Sequence, residues 1–396
     1  MRLRPGNRVS LALILSYVFD WIIIILAAVV GGVLSIITPN KRPFSLVDAD
    51  ISFPYVTKEK ISTATLVVCC LAAPAVIIFL VTILLVPGPT VPKSTPKALI
   101  WKRKLWELHT GWLGLGLSLA AAFLITSGMK NLFGKPRPDL LSRCQPDLDN
   151  VNKYVVGGFS KTQEGFSLVS AAICQNTDSS VLKDGFRSFP SGHSSFSAAG
   201  LIYLSLFIAS KLAIAIPFLA PRPYSEDASH YSAFPSRNDA TQTRSHIISE
   251  DQDKGVSNFD GQLKLSGHNA AIIAARNQAA APPVYLLVFA IIPFFASIYI
   301  ASTRWSDFRH HGLDILFGYF IGTVTAIFAF RWYHLPISQG AGWSWGPRSS
   351  ERSFWAGIGV GSYAGSDKAV HAPAANDLEA RPVGGHDVGT NGGQTT

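Results

Sequence analysis

Charge is scarce in this chain. Only 15% of its 396 residues are Asp, Glu, Lys or Arg, whereas 48% are hydrophobic and the mean hydropathy is +0.26. That balance excludes the pair of ordinary soluble domains that the length alone would allow, and it makes the bilayer the expected solvent. No Asn-x-Ser/Thr triplet occurs, so N-glycosylation gives no handle on topology. There is no internal repeat, and no small-residue cleavage site follows the first apolar run, which is too long for a signal-peptide core and reads as a retained helix. The tail ends without a retention signal, which leaves the host membrane open among vacuole, endoplasmic reticulum, Golgi and plasma membrane.

A spanning helix needs about 20 predominantly apolar residues. Six windows approach that: Leu11 to Ile36, Thr65 to Val86, Leu108 to Met129, Phe196 to Leu219, Val284 to Ile300 and Leu313 to Phe330. They predict an all-α fold, a six-transmembrane helical bundle occupying residues 1–335. The fifth window contains Pro293, whose missing N–H a bundle accommodates. Asp20 lies inside the first, where a carboxylate is either paired within the bundle or directly functional. Residues 221–282 are rich in Ser, Asp, Asn, Gln and Ala and are expected to form a polar, disordered cytosolic insert, with a stretch Ala-rich enough for a short helix at Asn269 to Ala281. The tail, 336–396, reads as low-complexity and cytosolic, with Trp343, Trp345 and Trp355 placed to meet the membrane interface.

The net charge of +9 falls mostly in connectors, so it signals membrane orientation rather than nucleic-acid binding. Arg2, Arg4 and Arg8, with the connector carrying Lys93, Lys97, Lys102, Arg103 and Lys104, place both termini in the cytosol. Three crossings then put the connector holding Cys144 and Cys174 on the exoplasmic side, where a disulfide between them is permitted. Adjacent Cys69 and Cys70, in an apolar helix, read as packing groups.

Three clusters carry chemistry. Lys130 to Pro138 (KNLFGKPRP) offers Lys130 as a point charge and Arg137 as a bidentate fork for phosphate oxygens. By itself it reads more readily as a basic interfacial anchor beside a turn. Pro190 to His193 (PSGH), just after Arg187, suits a turn into a helix whose start binds anions through free N–H groups, with Ser191 as cap and His193 beside the anion. A capping Ser and an interfacial His explain it as well. Arg304 to Asp314 (RWSDFRHHGLD) adds a third cation. On a helix His310 and Asp314 share a face at i,i+4, so the carboxylate would take one imidazole N–H and leave the other nitrogen as a nucleophile. His311 lacks that spacing and is the weaker candidate, while Asp307 and Arg309 read as a short loop's solvated charges.

These clusters, in this order, resemble the type 2 phosphatidic acid phosphatase and vanadium haloperoxidase superfamily, whose pattern is Lys, six residues, Arg-Pro; Pro-Ser-Gly-His; and Ser-Arg, five residues, His, three residues, Asp. Lys130, Arg137 and Pro138 fit the first part, Pro190 to His193 the second, and Arg304, His310 and Asp314 the third. Thr303 replaces the serine and keeps its hydroxyl; Lys135 has no counterpart. The likeness runs from about Leu11 to Tyr333, excluding insert and tail, and is nearest to the integral-membrane lipid phosphate phosphatases, particularly the fungal diacylglycerol pyrophosphate phosphatases. It implies His310 as nucleophile forming a phosphohistidine, Asp314 orienting it, and His193 as general acid and then base. Lys130, Arg137, Ser191, Gly192 and Arg304 would hold phosphate, with no metal and no cofactor. The implied substrate is a phospholipid in the bilayer: phosphatidate, lysophosphatidate or diacylglycerol pyrophosphate. Isoprenoid or sphingoid phosphates, vanadate-dependent haloperoxidation, and a transporter or scaffold role are the alternatives.

Overall fold

The computed structural model describes residues 10–88, 91, 93, 95–158, 167–212, 214, 283–337, 342–348 and 353–354. The expected insert 221–282 with its short helix, and most of the tail including Trp355, lie outside them. Residues 1–18 with 346–396 cluster as one unit and Phe19–Trp345 as another. Within the first, the Arg348 guanidinium stands 4.7 Å from the centre of the Tyr17 ring. The bundle core and the site belong to the second.

Among the described residues six helices are long and apolar enough to cross a membrane: α1 (Leu11–Ile36), α2 (Thr63–Leu85), α3 (Lys97–Phe133), α6 (Gly192–Lys211), α7 (Val284–Ser306) and α8 (Gly312–Tyr333). The chain is a multi-pass membrane protein with a small extramembrane cap. α1 turns Ile22, Ile25, Leu26, Val29 and Val33 outward, a surface that only lipid would tolerate. α3 is longer than its apolar window and at 1.5 Å per residue extends about 55 Å, past the hydrocarbon core. α6 runs to Lys211 with Leu212 as its cap, and residues 215–219 of the expected window lie outside the described residues. Asp20 takes the bland option and accepts from the Tyr333 hydroxyl at 3.4 Å.

α6 is the central helix, packed against α2, α3, α7 and α8. Its approach to α2 follows from a proline. Pro74 has no N–H for the Cys70 carbonyl four residues back, and α2 takes a π-helical turn over Val68–Ala72 there. That carbonyl lies against Gly200 of α6, where a Cβ would collide with it. Cys70 is fully buried, as a packing thiol should be. On the other flank Gly318 and Gly322 of α8 meet the Ser191 and Ser195 carbonyls of α6 with no room for a methyl group. These contacts lock the first turn of α6 to the first three turns of α8.

The connector between α3 and α6 folds as a cap. It contains α4 (Leu140–Cys144), α5 (Ser179–Gly185) and an antiparallel pair, β1 (Val155–Gly158) and β2 (Ser167–Val169), with a bulge between Val155 and Gly157. This small sheet is the one departure from an all-helical fold among the described residues. Phe44, Ile51, Leu140, Val169, Ile173 and Phe186 form its core, and Cys144 is bonded to Cys174.

A second polar centre closes the other end of the bundle. Glu107 of α3, fully buried, receives Lys211 Nζ at 2.5 Å and Arg103 Nη2 at 2.8 Å. It also accepts the Ser344 N–H at 3.1 Å and the Ser344 hydroxyl at 2.5 Å. Trp343 lies over both cations, so the first part of the tail docks on the bundle. Replacing Glu107 by Ala strands a buried ammonium and should cost about 3 to 5 kcal/mol. Thermal unfolding of the purified protein in detergent measures this; an unchanged transition would show that the cluster is dispensable.

Candidate active site

The three sequence clusters meet at one end of the bundle, brought there by the ends of α3, α6, α7 and α8. Lys130 is in the last turn of α3, which stops at Gly134 with φ +55°. The chain then turns through Arg137, whose N–H donates to the Gly185 carbonyl at 2.8 Å. Ser191 caps α6, its Oγ accepting from Ser194. Gly192 follows, and a Cβ there would stand 3.0 Å from Lys130 Nζ, so the absent side chain is what lets the ammonium reach the helix start. The Gly192 and His193 N–H groups, in the first turn, have no carbonyl four residues back to meet.

His310 is the centre of the group. It is buried, and its Nδ1 lies 2.6 Å from the Ser188 carbonyl. A carbonyl only accepts, so Nδ1 carries the proton and Nε2 of the neutral ring keeps its lone pair. Burial first, and then the Arg137, Lys130 and Arg304 cations, hold the imidazole well below the ordinary histidine range, outweighing the Ser188 hydrogen bond. His193 lies in the field of the same three cations. Its Nε2 donates to the Ile61 carbonyl at 3.0 Å, which leaves Nδ1 as the nitrogen with a free lone pair. Among the described residues the Nε–H groups of Arg103, Arg137, Arg187, Arg304 and Arg309 are buried without an acceptor, and at Arg137 and Arg304, beside His310, a phosphate oxygen would meet that need.

Asp314 departs from the expected pairing. It makes no contact with the His310 ring; Oδ2 instead accepts from the Ser188 hydroxyl at 2.5 Å and meets His311 Nδ1 at 3.1 Å, while Oδ1 takes Lys135 Nζ at 2.9 Å. The reason is local. α8 begins at Gly312, so His310 sits in the loop and i,i+4 spacing places nothing on a common face. His311 is the cap residue and Asp314, two residues into the helix, closes a reciprocal capping box with it. Asp314 therefore reaches His310 only through Ser188, whose hydroxyl it holds and whose carbonyl holds the ring.

Three further expectations change. Ser191 spends its N–H on the Asp314 carbonyl at 2.9 Å, so it serves as a cap and has no N–H left for an anion. Asp307 and Arg309 are not solvated loop charges but buried, 2% and 3% exposed. Lys135, with no counterpart in the family pattern, is the ammonium on Asp314. Arg187 donates to the Ser35 and Ile37 carbonyls and so ties the end of α1 to the site.

Carboxylates neutralise the surplus positive charge. Asp184 accepts from Arg137 at 2.8 Å, Arg143 at 2.9 Å and Arg309 at 3.4 Å. Asp139 takes the other edge of Arg143 through two 2.8 Å bonds. Glu59, on the connector between α1 and α2, pairs with Arg304 at 3.0 Å and Arg309 at 2.9 Å. Ser188, Asp307 and Arg309 lay within or beside the recognised clusters; Asp184 and Glu59 had no pattern to mark them. A cavity of about 120 Å³ lies on the Lys130 side of the group, polar along Lys130, Asp184, Arg187 and Gly192 and apolar along Leu34, Phe123 and Phe196. The arrangement can bind a tetrahedral oxyanion, present an uncharged imidazole to its central atom, and exchange a proton through a second imidazole.

Residues 111–237 match the PAP2 superfamily, a stretch that includes the first two clusters and stops short of the third. The chain is 28% identical over 302 residues to the probable diacylglycerol pyrophosphate phosphatase 1 of Schizosaccharomyces pombe, covering 76% of this chain and 75% of that one. To diacylglycerol pyrophosphate phosphatase 1 of Saccharomyces cerevisiae it is 24% identical over 305 residues, 76% and 74% of the two chains. To a PA-phosphatase related-family protein of Dictyostelium discoideum it is 34% identical over 202 residues, half of this chain and 53% of the relative. The chain thus spans about half the length of that relative. No solved structure matches it.

The buried ring predicts a titration. Below about pH 6.5 an unfolded chain takes up a proton that folded His310 refuses, so the folded ring stays neutral on acidification and folding loses stability there. Nitrogen NMR of histidine-labelled protein should find the His310 Nδ1–H tautomer neutral well below pH 6.5. A midpoint at or above that value would contradict the geometry.

Proposed function

The chain carries a PAP2 superfamily domain, and from that premise we propose that it is a metal-independent lipid phosphate phosphatase. The observation that carries the reading is His310, held neutral with Nδ1–H on the Ser188 carbonyl and ringed by Lys130, Arg137 and Arg304. In this reading Nε2 attacks phosphorus as the ester P–O bond breaks, and His193 gives a proton from Nδ1 to the departing oxygen. Water then enters; His193 takes its proton, hydroxide attacks phosphorus, and the P–N bond breaks to release inorganic phosphate and neutral His310. Lys130, Arg137, Arg304 and the Gly192 N–H carry the charge of the equatorial oxygens, the part a divalent ion plays in other phosphoryl transfers. Asp314 and Ser188 position His310.

The half-apolar cavity supports a lipid phosphate over a soluble one, and the fungal relatives' names support diacylglycerol pyrophosphate beside phosphatidate and lysophosphatidate. Isoprenoid and sphingoid phosphates rank behind them. In the same reading residues 1–335 are one membrane phosphatase domain, interrupted by a cytosolic insert at 221–282 and followed by a cytosolic tail. Both termini are cytosolic and the site is exoplasmic. The disulfide between Cys144 and Cys174, in the cap beside the site, supports that side.

Phosphate release from phosphatidate in mixed micelles, assayed with excess chelator, tests the reading. Release should persist under chelation, stop with orthovanadate and vanish in His310→Ala. Arg304→Ala should lower turnover by about 10² to 10³. The rate against pH should be bell-shaped, since His310 must be neutral while His193 is protonated. Undiminished release by His310→Ala, or dependence on added metal, sinks the scheme.

A further inference from the structure

Glu59 belongs to no sequence motif, yet its carboxylate stands among the groups that the proposed reaction uses. One oxygen accepts from Arg304 at 3.0 Å and the other from Arg309 at 2.9 Å, and the nearer lies 4.0 Å from His193 Nε2. The segment that carries it is fastened on both sides. The Val56 carbonyl accepts from Arg309 at 2.9 Å. The Lys60 N–H donates to Asp307 at 3.0 Å, and Lys60 Nζ meets the Ser306 hydroxyl at 2.8 Å. Two residues past Glu59, the Ile61 carbonyl takes the His193 Nε2–H. Tyr55 is flanked by the guanidinium groups of Arg143 and Arg309 at 4.3 and 5.0 Å. The α1–α2 connector is thus a strap laid across the turn between α7 and α8, with its ends set by Ser62, the cap of α2.

We propose that Glu59 is a positioning residue for phosphoryl transfer. Arg304 has a long, flexible side chain in a crowd of like charges; its other carboxylate, Asp307, stands 4.0 Å away against 3.0 Å for Glu59, so without Glu59 its guanidinium would be drawn toward Asp307 and away from Lys130 and Arg137. The carboxylate fixes it by one nitrogen while its Nε–H stays unspent for a phosphate oxygen. The same strap fixes which nitrogen of His193 faces the leaving oxygen. Orientation of this kind matters most where charge develops, so it acts on the transition state more than on bound phosphate. The negative charge itself opposes anion binding, so removing it should not weaken the ground state.

The inference rests on the phosphatase reading for its kinetic arm and has a second arm that does not. The full chain in detergent is compared with Glu59→Gln, Glu59→Asp and, as a control on the same connector, Lys58→Ala, whose side chain is exposed. Glu59→Gln should lower kcat about 10- to 100-fold while KM holds or falls, and Glu59→Asp should recover part of the loss. Lys58→Ala should match the wild type. In the binding arm, thermal stabilisation by orthovanadate, which takes the five-coordinate geometry of the transition state, is set against stabilisation by inorganic phosphate. Glu59→Gln should weaken vanadate about tenfold or more relative to phosphate. A wild type that binds vanadate but releases no phosphate from any lipid fails the phosphatase reading and leaves the binding arm to judge Glu59. Unchanged or raised kcat in Glu59→Gln, or an unchanged ratio of vanadate to phosphate affinity, overturns the role proposed here; the raised value would mean that the carboxylate merely competes with phosphate.

Discussion

Crowding positive charge around one neutral imidazole is the constraint from which the rest of this structure follows. Lys130, Arg137 and Arg304 all act on His310, and Arg143 and Arg309 stand just behind. Such a cluster repels itself, and burial strengthens the repulsion because little water remains to screen it. The chain answers with carboxylates shared between cations: Asp184 among Arg137, Arg143 and Arg309, Glu59 between Arg304 and Arg309, and Asp139 on Arg143. Each guanidinium is thereby held by some of its nitrogens, while on Arg137, Arg304 and Arg309 the buried Nε–H has no partner among the described residues.

That charge network needs a rigid frame, and the bundle supplies it through close backbone approach. Gly318 and Gly322 bring α8 against the start of α6, and Gly200 brings α6 against the carbonyl that Pro74 leaves over on α2. Because α6 and α8 begin side by side, the Asp314 carbonyl can accept the Ser191 N–H, and the Asp314 side chain can collect Ser188, His311 and Lys135. Ser188 then transmits this anchoring to the nucleophile candidate through its carbonyl. The chemistry sits on helix ends, where free N–H groups and unpaired polar side chains are least costly.

Much of this was legible in the chain. Long apolar windows can satisfy their backbone only as helices, so the six spans follow from composition. The residues that gather at the site were also visible, since Lys130, Arg137, His193, Arg304 and His310 lie at the span ends that meet. Less legible was how they are wired. Helical spacing assigned Asp314 to His310, but the helix starts two residues later and the carboxylate caps it through His311. Asp307 and Arg309 looked like loop charges because nothing in their sequence neighbourhood reveals that another connector will cover them.

Sequence by itself determined the solvent, the number of spans and the reactive groups, because transfer of apolar side chains out of water and the identity of cations and imidazoles are properties of residues. Only the tertiary structure decided which carboxylate neutralises which cation, which nitrogen of each histidine is free, and that Glu59, some 250 positions from Arg304 in the chain, stands beside it. Those outcomes depend on distances between elements remote in sequence, and a hydrogen bond or ion pair exists only when such elements have packed to within about 3 Å.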